Sequence, residues 1–101
     1  MQICFNAESQ KVFDRLPIEV RTGIKIVQER IHTAVLRIYP NAVATSGFRS
    51  AAYNRSVGGV DNSYHIWGAA RDYTFDSLGS DPVIPGIRVI RSRKCWHLEI
   101  E

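Results

Sequence analysis

The sequence predicts an α+β fold, one long helix packed on a small antiparallel sheet, and three observations carry that prediction. The stretch PIEVRTGIKIVQERIHTAVLRIY, Pro17 to Tyr39, spaces its apolar residues by three or four. Beyond Pro40 that period gives way to short segments separated by Gly, Pro, Asn and Ser. The chain closes on CWHLEIE, in which polar and apolar residues alternate. With 101 residues, 45% hydrophobic and 23% charged, the chain is sized for a single domain over 1–101 with its own core.

In the long helix, Val20, Ile24, Val27, Ile31, Ala34, Val35 and Ile38 form the apolar face. Pro17 suits the first turn, Glu19 the positive N-terminal end, and Pro40 with Asn41 stops the helix. AVATSGF, Ala42 to Phe48, reads as a short strand ending at Gly47. SAAYNRSVGG, Ser50 to Gly59, reads as a short helix with Ser50 as N-cap and the glycine pair as its stop. AARDYTF, Ala69 to Phe75, is a second strand, and LGSDPVIPG, Leu78 to Gly86, a loop. IRVIRS and CWHLEIE form a terminal hairpin turning at Arg93 and Lys94.

Composition excludes more than it selects. Net charge is +3, which mildly favours an anionic partner but is too weak to argue for nucleic acid, and no aromatic-interleaved basic surface is present. The run Arg88, Arg91, Arg93 and Lys94 reads first as a solvated hairpin face and second as an attraction for an anionic wall. No apolar run approaches the roughly 20 residues that span a bilayer, so membrane insertion is not expected. MQICFNAESQ carries no secretory signal, and Cys4 and Cys95 read as free thiols in a reducing compartment. Cys95 stays a less favoured metal ligand.

Alternation places Cys95, His97, Glu99 and Glu101 on one face of the last strand and Trp96, Leu98 and Ile100 on the other. If Ala69–Phe75 is the neighbouring strand, Asp72 can approach His97 while the preceding turn carries in His65. Two imidazoles and a carboxylate would make a three-ligand zinc site with an open position for water, the pattern of a catalytic zinc. The alternative is an ordinary half-buried histidine and a surface aspartate. His32, mid-helix with no carboxylate at ligand spacing, reads as a plain surface or boundary histidine.

The segment SGFRSAAYNRSVGGVDNSYHIWGAARD, followed by WH, resembles the zinc D-Ala-D-Ala carboxypeptidases of the peptidase M15 family. That superfamily includes phage L-alanyl-D-glutamate endopeptidases and D-alanyl-D-alanine dipeptidases, and shares its fold with the hedgehog signalling domain. Ser46, Gly47, Phe48, Arg49 and Ser50 match its first block, then Tyr53-Asn54 and Val57-Gly58-Gly59. Ser63, His65, Gly68, Ala70 and Asp72 match the metal block, and Trp96-His97 the last. The resemblance implies that His65, Asp72 and His97 hold one zinc, whose water is the nucleophile. It also implies that Arg49 binds the substrate's carboxylate or polarises its carbonyl, and that Ser63 lines the substrate cleft. A guanidinium suits that task, since it grips a carboxylate through two parallel hydrogen bonds. Gly58, Gly59 and Gly68 read as serving backbone shape.

One position departs from the pattern. Many relatives carry a general-base glutamate three residues before the last histidine, and others a histidine two before; here these are Lys94 and Cys95. Glu99, on the face of His97 and about 7 Å along the strand, stands as a substitute base, an orienting partner of His97, or a solvated carboxylate. Asp61 and Asp76 are weaker candidates. The resemblance therefore implies a zinc peptidase cutting peptidoglycan stem peptides, of DD-carboxypeptidase or L-alanyl-D-glutamate endopeptidase type, and a monomer is expected. The alternative is a catalytically silent zinc module that recognises a wall peptide or protein. With no signal, the chain would be cytoplasmic, or phage-encoded and released to the wall.

Overall fold

The computed structural model describes residues 1–74, 79–92 and 95–101. In chain order the elements are α1 (Ala7–Arg15), α2 (Ile18–Ile38), β1 (Val43–Ser46), α3 (Ala51–Ser56), β2 (Ala70–Thr74), β3 (Ile87–Ser92) and β4 (Cys95–Ile100). The strands form one sheet in the order β1-β2-β4-β3, each neighbouring pair antiparallel. The expected α+β class holds, with the long helix and the terminal strand pair in place. The Arg93-Lys94 turn, Asp76 and the segment ends Phe75 and Leu78 lie outside the described residues.

The long helix is joined by an unexpected one. In α1 the Asn6 side chain accepts the Ser9 N–H at 2.8 Å, Glu8 sits in the first turn and Arg15 in the last. Those end signals are present in the sequence, but the segment is too polar to show an apolar stripe. It is held by Phe13, buried against Phe48 with ring centroids 5.8 Å apart. Elsewhere local chemistry matches expectation: Ser50 Oγ accepts the Tyr53 N–H at 3.1 Å as N-cap of α3.

The main core is Ile31 and Val35 of α2 packed on Tyr73, Trp96, Leu98 and Ile87 of the sheet. A second cluster joins Cys4, Phe13, Ile24 and Phe48. Of the predicted apolar face, Ile24, Ile31 and Val35 are buried, whereas Val20 and Ile38, near the two ends of α2, stay exposed. The strands that approach α2 most are the central ones, β2 and β4, so burial concentrates mid-helix. Both cysteines are free thiols. Burial, then the charge of Asp14, pushes Cys4 up to about 11, which leaves it an unreactive core residue. Among the described residues no helix is long and apolar enough to cross a membrane.

In the middle of that stripe sits a buried polar residue. Gln28 Nε2 donates to the carbonyls of Gly68 (2.7 Å) and Ala70 (3.0 Å), and Oε1 accepts from Arg71 Nη1 at 2.9 Å. Arg71, fully buried on the same side of β2, also donates to Gln2 O at 2.7 Å and Tyr73 Oη at 2.8 Å. The pair fastens α2 to the entry of β2, and through it to the turn that precedes the strand. Gln28→Ala would take a donor from two carbonyls and one of two acceptors from Arg71 Nη1. It is expected to lower stability by about 2–4 kcal/mol in urea denaturation, more than an Ile31→Val change at about 1 kcal/mol.

Candidate metal centre

The β2–β4 register sets Asp72 directly opposite His97. Because strand side chains alternate, Trp96 and Leu98 go to the α2 core while His97 and Glu99 share the other face with Asp72. His65 arrives from the turn before β2. There Ser63 Oγ accepts the His65 N–H at 3.2 Å, and the His65 carbonyl accepts the N–H groups of Arg49 (3.0 Å) and Gly68 (3.1 Å). Gly68 closes that turn with φ +70°, and a Cβ there would lie 2.7 Å from the Ile24 side chain. Glycine is required twice over, by the dihedral and by the packing of the turn on α2.

Three atoms then converge. His65 Nε2 lies 3.2 Å from Asp72 Oδ1 and 3.2 Å from His97 Nδ1, and His97 Nδ1 lies 2.9 Å from Asp72 Oδ1. The partners on the outer edges fix the ring protons. His65 Nδ1 is 2.8 Å from the Gly47 carbonyl, which can only accept, so the proton sits on Nδ1 and Nε2 presents a lone pair. His97 Nε2 donates to Glu99 Oε1 at 2.8 Å, leaving Nδ1 as the inward lone pair. Two nitrogen lone pairs and a carboxylate oxygen thus face one point, an arrangement that repels itself unless a cation occupies the centre. Ligands held tetrahedrally at ~2.0–2.1 Å from zinc stand roughly 3.3 Å apart, close to the separations found here. The donor set fits a metal ion, and these three residues are the group able to hold one among the described residues.

The metal-free electrostatics report the same convergence. Burial raises the pKa of Asp72, but the adjoining His65 and His97 rings, which favour its charged form, outweigh it, and the carboxyl ends well below the usual carboxylate range. Burial lowers His97, yet the Asp72 and Glu99 carboxylates beside it win and the imidazole is raised above its ordinary value. In the absence of a metal, the convergence therefore favours the protonated form of His97.

A family model described as Peptidase M15 matches residues 4–93. The chain belongs to the peptidase M15 family. Members are generally metal-dependent, in keeping with the His65–Asp72–His97 cluster. The match stops short of His97, so that histidine's membership of the cluster rests on strand register and distance. No curated protein and no solved structure matches the chain.

Around the M15 cluster the remaining candidate residues take distinct places. Arg49 donates through Nη2 to Asp72 Oδ2 at 3.4 Å, through Nε to Ser46 Oγ at 3.1 Å and through Nη1 to Asn54 Oδ1 at 3.1 Å. Ser63 is buried, with its hydroxyl turned to the backbone of His65. Glu99 is buried against the outer edge of His97, and its second oxygen lies 4.0 Å from Arg88 Nη1. Cys95 is not in the convergent group. Asp61 is exposed, and Lys94 lies outside the described residues. His32 stands apart, half-buried and stacked on Tyr73 with Nδ1 2.7 Å from its hydroxyl, so it is a bonded boundary residue rather than a plain one. Arg91 bonds Asp81 and the Gly79 carbonyl and lies over Trp96, so this part of the basic run is used within the fold. Sequence reasoning missed Ser46 and Asn54 as partners of Arg49, and Gln28 as the clamp on the His65 turn. Gln28 had one visible signal, a polar residue inside an apolar stripe.

Equilibrium dialysis with metal analysis is expected to find one zinc per wild-type chain and none retained by His65→Ala or Asp72→Asn. Glu99→Gln keeps the site but weakens zinc affinity about 10–100-fold, because the ring of His97 loses its orienting charge.

Proposed function

We propose that this M15 chain is a zinc-dependent peptidase that hydrolyses a peptide bond in peptidoglycan stem peptides. Its type would be DD-carboxypeptidase or L-alanyl-D-glutamate endopeptidase. The observation that carries the reading is the convergence of three acceptors beside an arginine with donors to spare. Two imidazoles and one carboxylate suit zinc and leave a coordination position for a non-protein ligand. When bound there, zinc supplies Lewis acidity and lowers the pKa of water to about 7.

The chain's own residues divide the other tasks. Gly47 O and Glu99 hold the two rings so that the inward nitrogens stay unprotonated when metal is present. Glu99 is assigned to that orienting role, because it bonds the nitrogen of His97 that faces away from the convergence point. Of the five N–H donors of Arg49, three are committed to Ser46, Asn54 and Asp72. The two left on the terminal nitrogens can hold a substrate carboxylate or carbonyl oxygen next to the cluster. Hydrolysis then adds water across the amide, giving a carboxylate and an amine. The Ser63 hydroxyl, spent on the His65 turn, is assigned to support of that turn at the edge of the substrate cleft.

A second reading, a zinc module that binds a wall peptide or a protein without cutting it, is favoured by one observation. Among the described residues the carboxylates bonded to the cluster are Asp72 and Glu99, both already engaged, and Lys94 occupies the position of the general-base glutamate of many relatives.

Incubation of zinc-loaded protein with purified muropeptides, beside a chelated sample, decides between the readings by product mass. Metal-dependent loss of a terminal D-alanine, or a split between L-alanine and D-glutamate, is the expected result; unchanged masses across stem types support the silent module. Proton linkage gives a second check. The folded pKa of metal-free His97 is raised above its ordinary value near 6.5, so this histidine stays protonated to higher pH than in the unfolded chain. Its contribution to apoprotein stability is therefore full below that ordinary value and lost as pH rises through the raised one. Zinc must displace this proton. Calorimetry in buffers of different ionisation enthalpy should find proton release on zinc binding that grows, and affinity that falls, as pH is lowered through the raised value of His97.

A further inference from the structure

Asn54 is 99% removed from solvent, at 1% exposure, and neither core cluster includes it. Its amide is held at both ends. Nδ2 donates to the Val60 carbonyl at 2.8 Å, which can only accept, so the orientation of the amide is settled and Oδ1 is turned to Arg49 Nη1 at 3.1 Å. Gly59 explains how the amide comes to lie there. Gly58 needs glycine for its φ of +76°, but Gly59 has no left-handed φ. A Cβ on residue 59 would instead fall 2.2 Å from Asn54 Oδ1 and 2.7 Å from its Cγ. The space that a side chain at 59 would fill is occupied by the Asn54 amide.

We propose that Asn54, admitted by the missing side chain of Gly59, is the positioning residue that fixes the guanidinium of Arg49 for its ligand. The proposal rests on the reading of Arg49 as the group that holds a substrate oxygen, and adds what aims it. Arg49 has three anchors: Ser46 at Nε, Asp72 at Nη2 and Asn54 at Nη1. With the first two alone, the pull of the Asp72 carboxylate decides the pose of the guanidinium. Asn54 opposes that pull from the α3 side with a neutral acceptor. It therefore holds Nη1 in place without neutralising the charge that a carboxylate ligand needs. The Val60 carbonyl keeps the amide from flipping, and Gly59 lets it approach. Asn54 and Gly59 thus act as one unit through Arg49, and neither touches the metal-ligating atoms.

The test uses the zinc-loaded full chain with Arg49→Lys, Asn54→Ala, Gly59→Ala and the Asn54→Ala/Gly59→Ala double variant. The first readout is side-chain nitrogen NMR of Arg49, its signals assigned by their loss in Arg49→Lys. Wild type should show restricted rotation about Nε–Cζ, and both Asn54→Ala and Gly59→Ala should release it. The second readout is melting temperature. Gly59→Ala alone pushes the amide out and lowers it, whereas in the Asn54→Ala background the added methyl meets an empty space and costs little, so the losses are not additive. The third is a KM raised about tenfold or more for a stem peptide with a free carboxylate, with kcat changed less. Restricted Arg49 rotation in Asn54→Ala, or additive melting losses, would overturn the proposal. Failure to cut any stem peptide would sink the peptidase reading and leave the first two readouts to decide this one.

Discussion

Two imidazole nitrogens and one carboxylate oxygen meet within about 3 Å of one another, and with both rings neutral none of the three brings a proton to the meeting. Such a cluster of acceptors is stable only with positive charge at its centre, and the rest of the molecule is arranged to hold the acceptors there regardless. The Asp72–His97 contact is built by antiparallel register, the most rigid device available to a small sheet. The third member has no strand to hold it. His65 depends on a turn pinned by Arg49 N–H, the Ser63 hydroxyl and a glycine pressed on Ile24, and that turn is clamped to α2 by Gln28. A chain of this size thus commits much of its buried polar chemistry to one site.

Positive charge surrounds the cluster in two ways that do different work. Arg49 sits at its rim, bonded to the outer oxygen of Asp72. Arg71 lies on the opposite side of the same strand, buried between Gln2, Gln28 and Tyr73, with its guanidinium over the Phe5 and Tyr73 rings. The first has N–H donors beyond its three bonds to Ser46, Asn54 and Asp72; the second uses Nε and Nη1 to join the N-terminal segment, α2 and β2. Consecutive positions on β2, Arg71 and Asp72, therefore serve the scaffold and the site from opposite faces of one strand.

The parts of this architecture that repeat with a period were legible in the sequence. The stripe of α2 and the alternation of CWHLEIE gave the helix and the face of His97. The grouping of His65, Asp72 and His97 came from the family resemblance, since their spacing alone left an ordinary half-buried histidine and a surface aspartate open. What had no period was hidden. The helix α1 shows little apolar face and is held by Phe13 alone in the second core cluster. The contact of Glu99 with His97 depends on side chains two residues apart on one strand face reaching along it, which spacing permits but does not require. The need for glycine at position 59 comes from the Asn54 side chain rather than from its own backbone, so it could be read only once both were placed.

The central claim is that the convergent acceptors His65 Nε2, Asp72 Oδ1 and His97 Nδ1 are a metal centre of nitrogen and oxygen donors. X-ray absorption at the zinc edge of the zinc-loaded protein tests it most directly. The account predicts a shell of nitrogen and oxygen at about 2.0–2.1 Å with two imidazole rings and no sulfur. A sulfur scatterer at about 2.3 Å, which would draw in Cys95, or a shell with no imidazole, would contradict it.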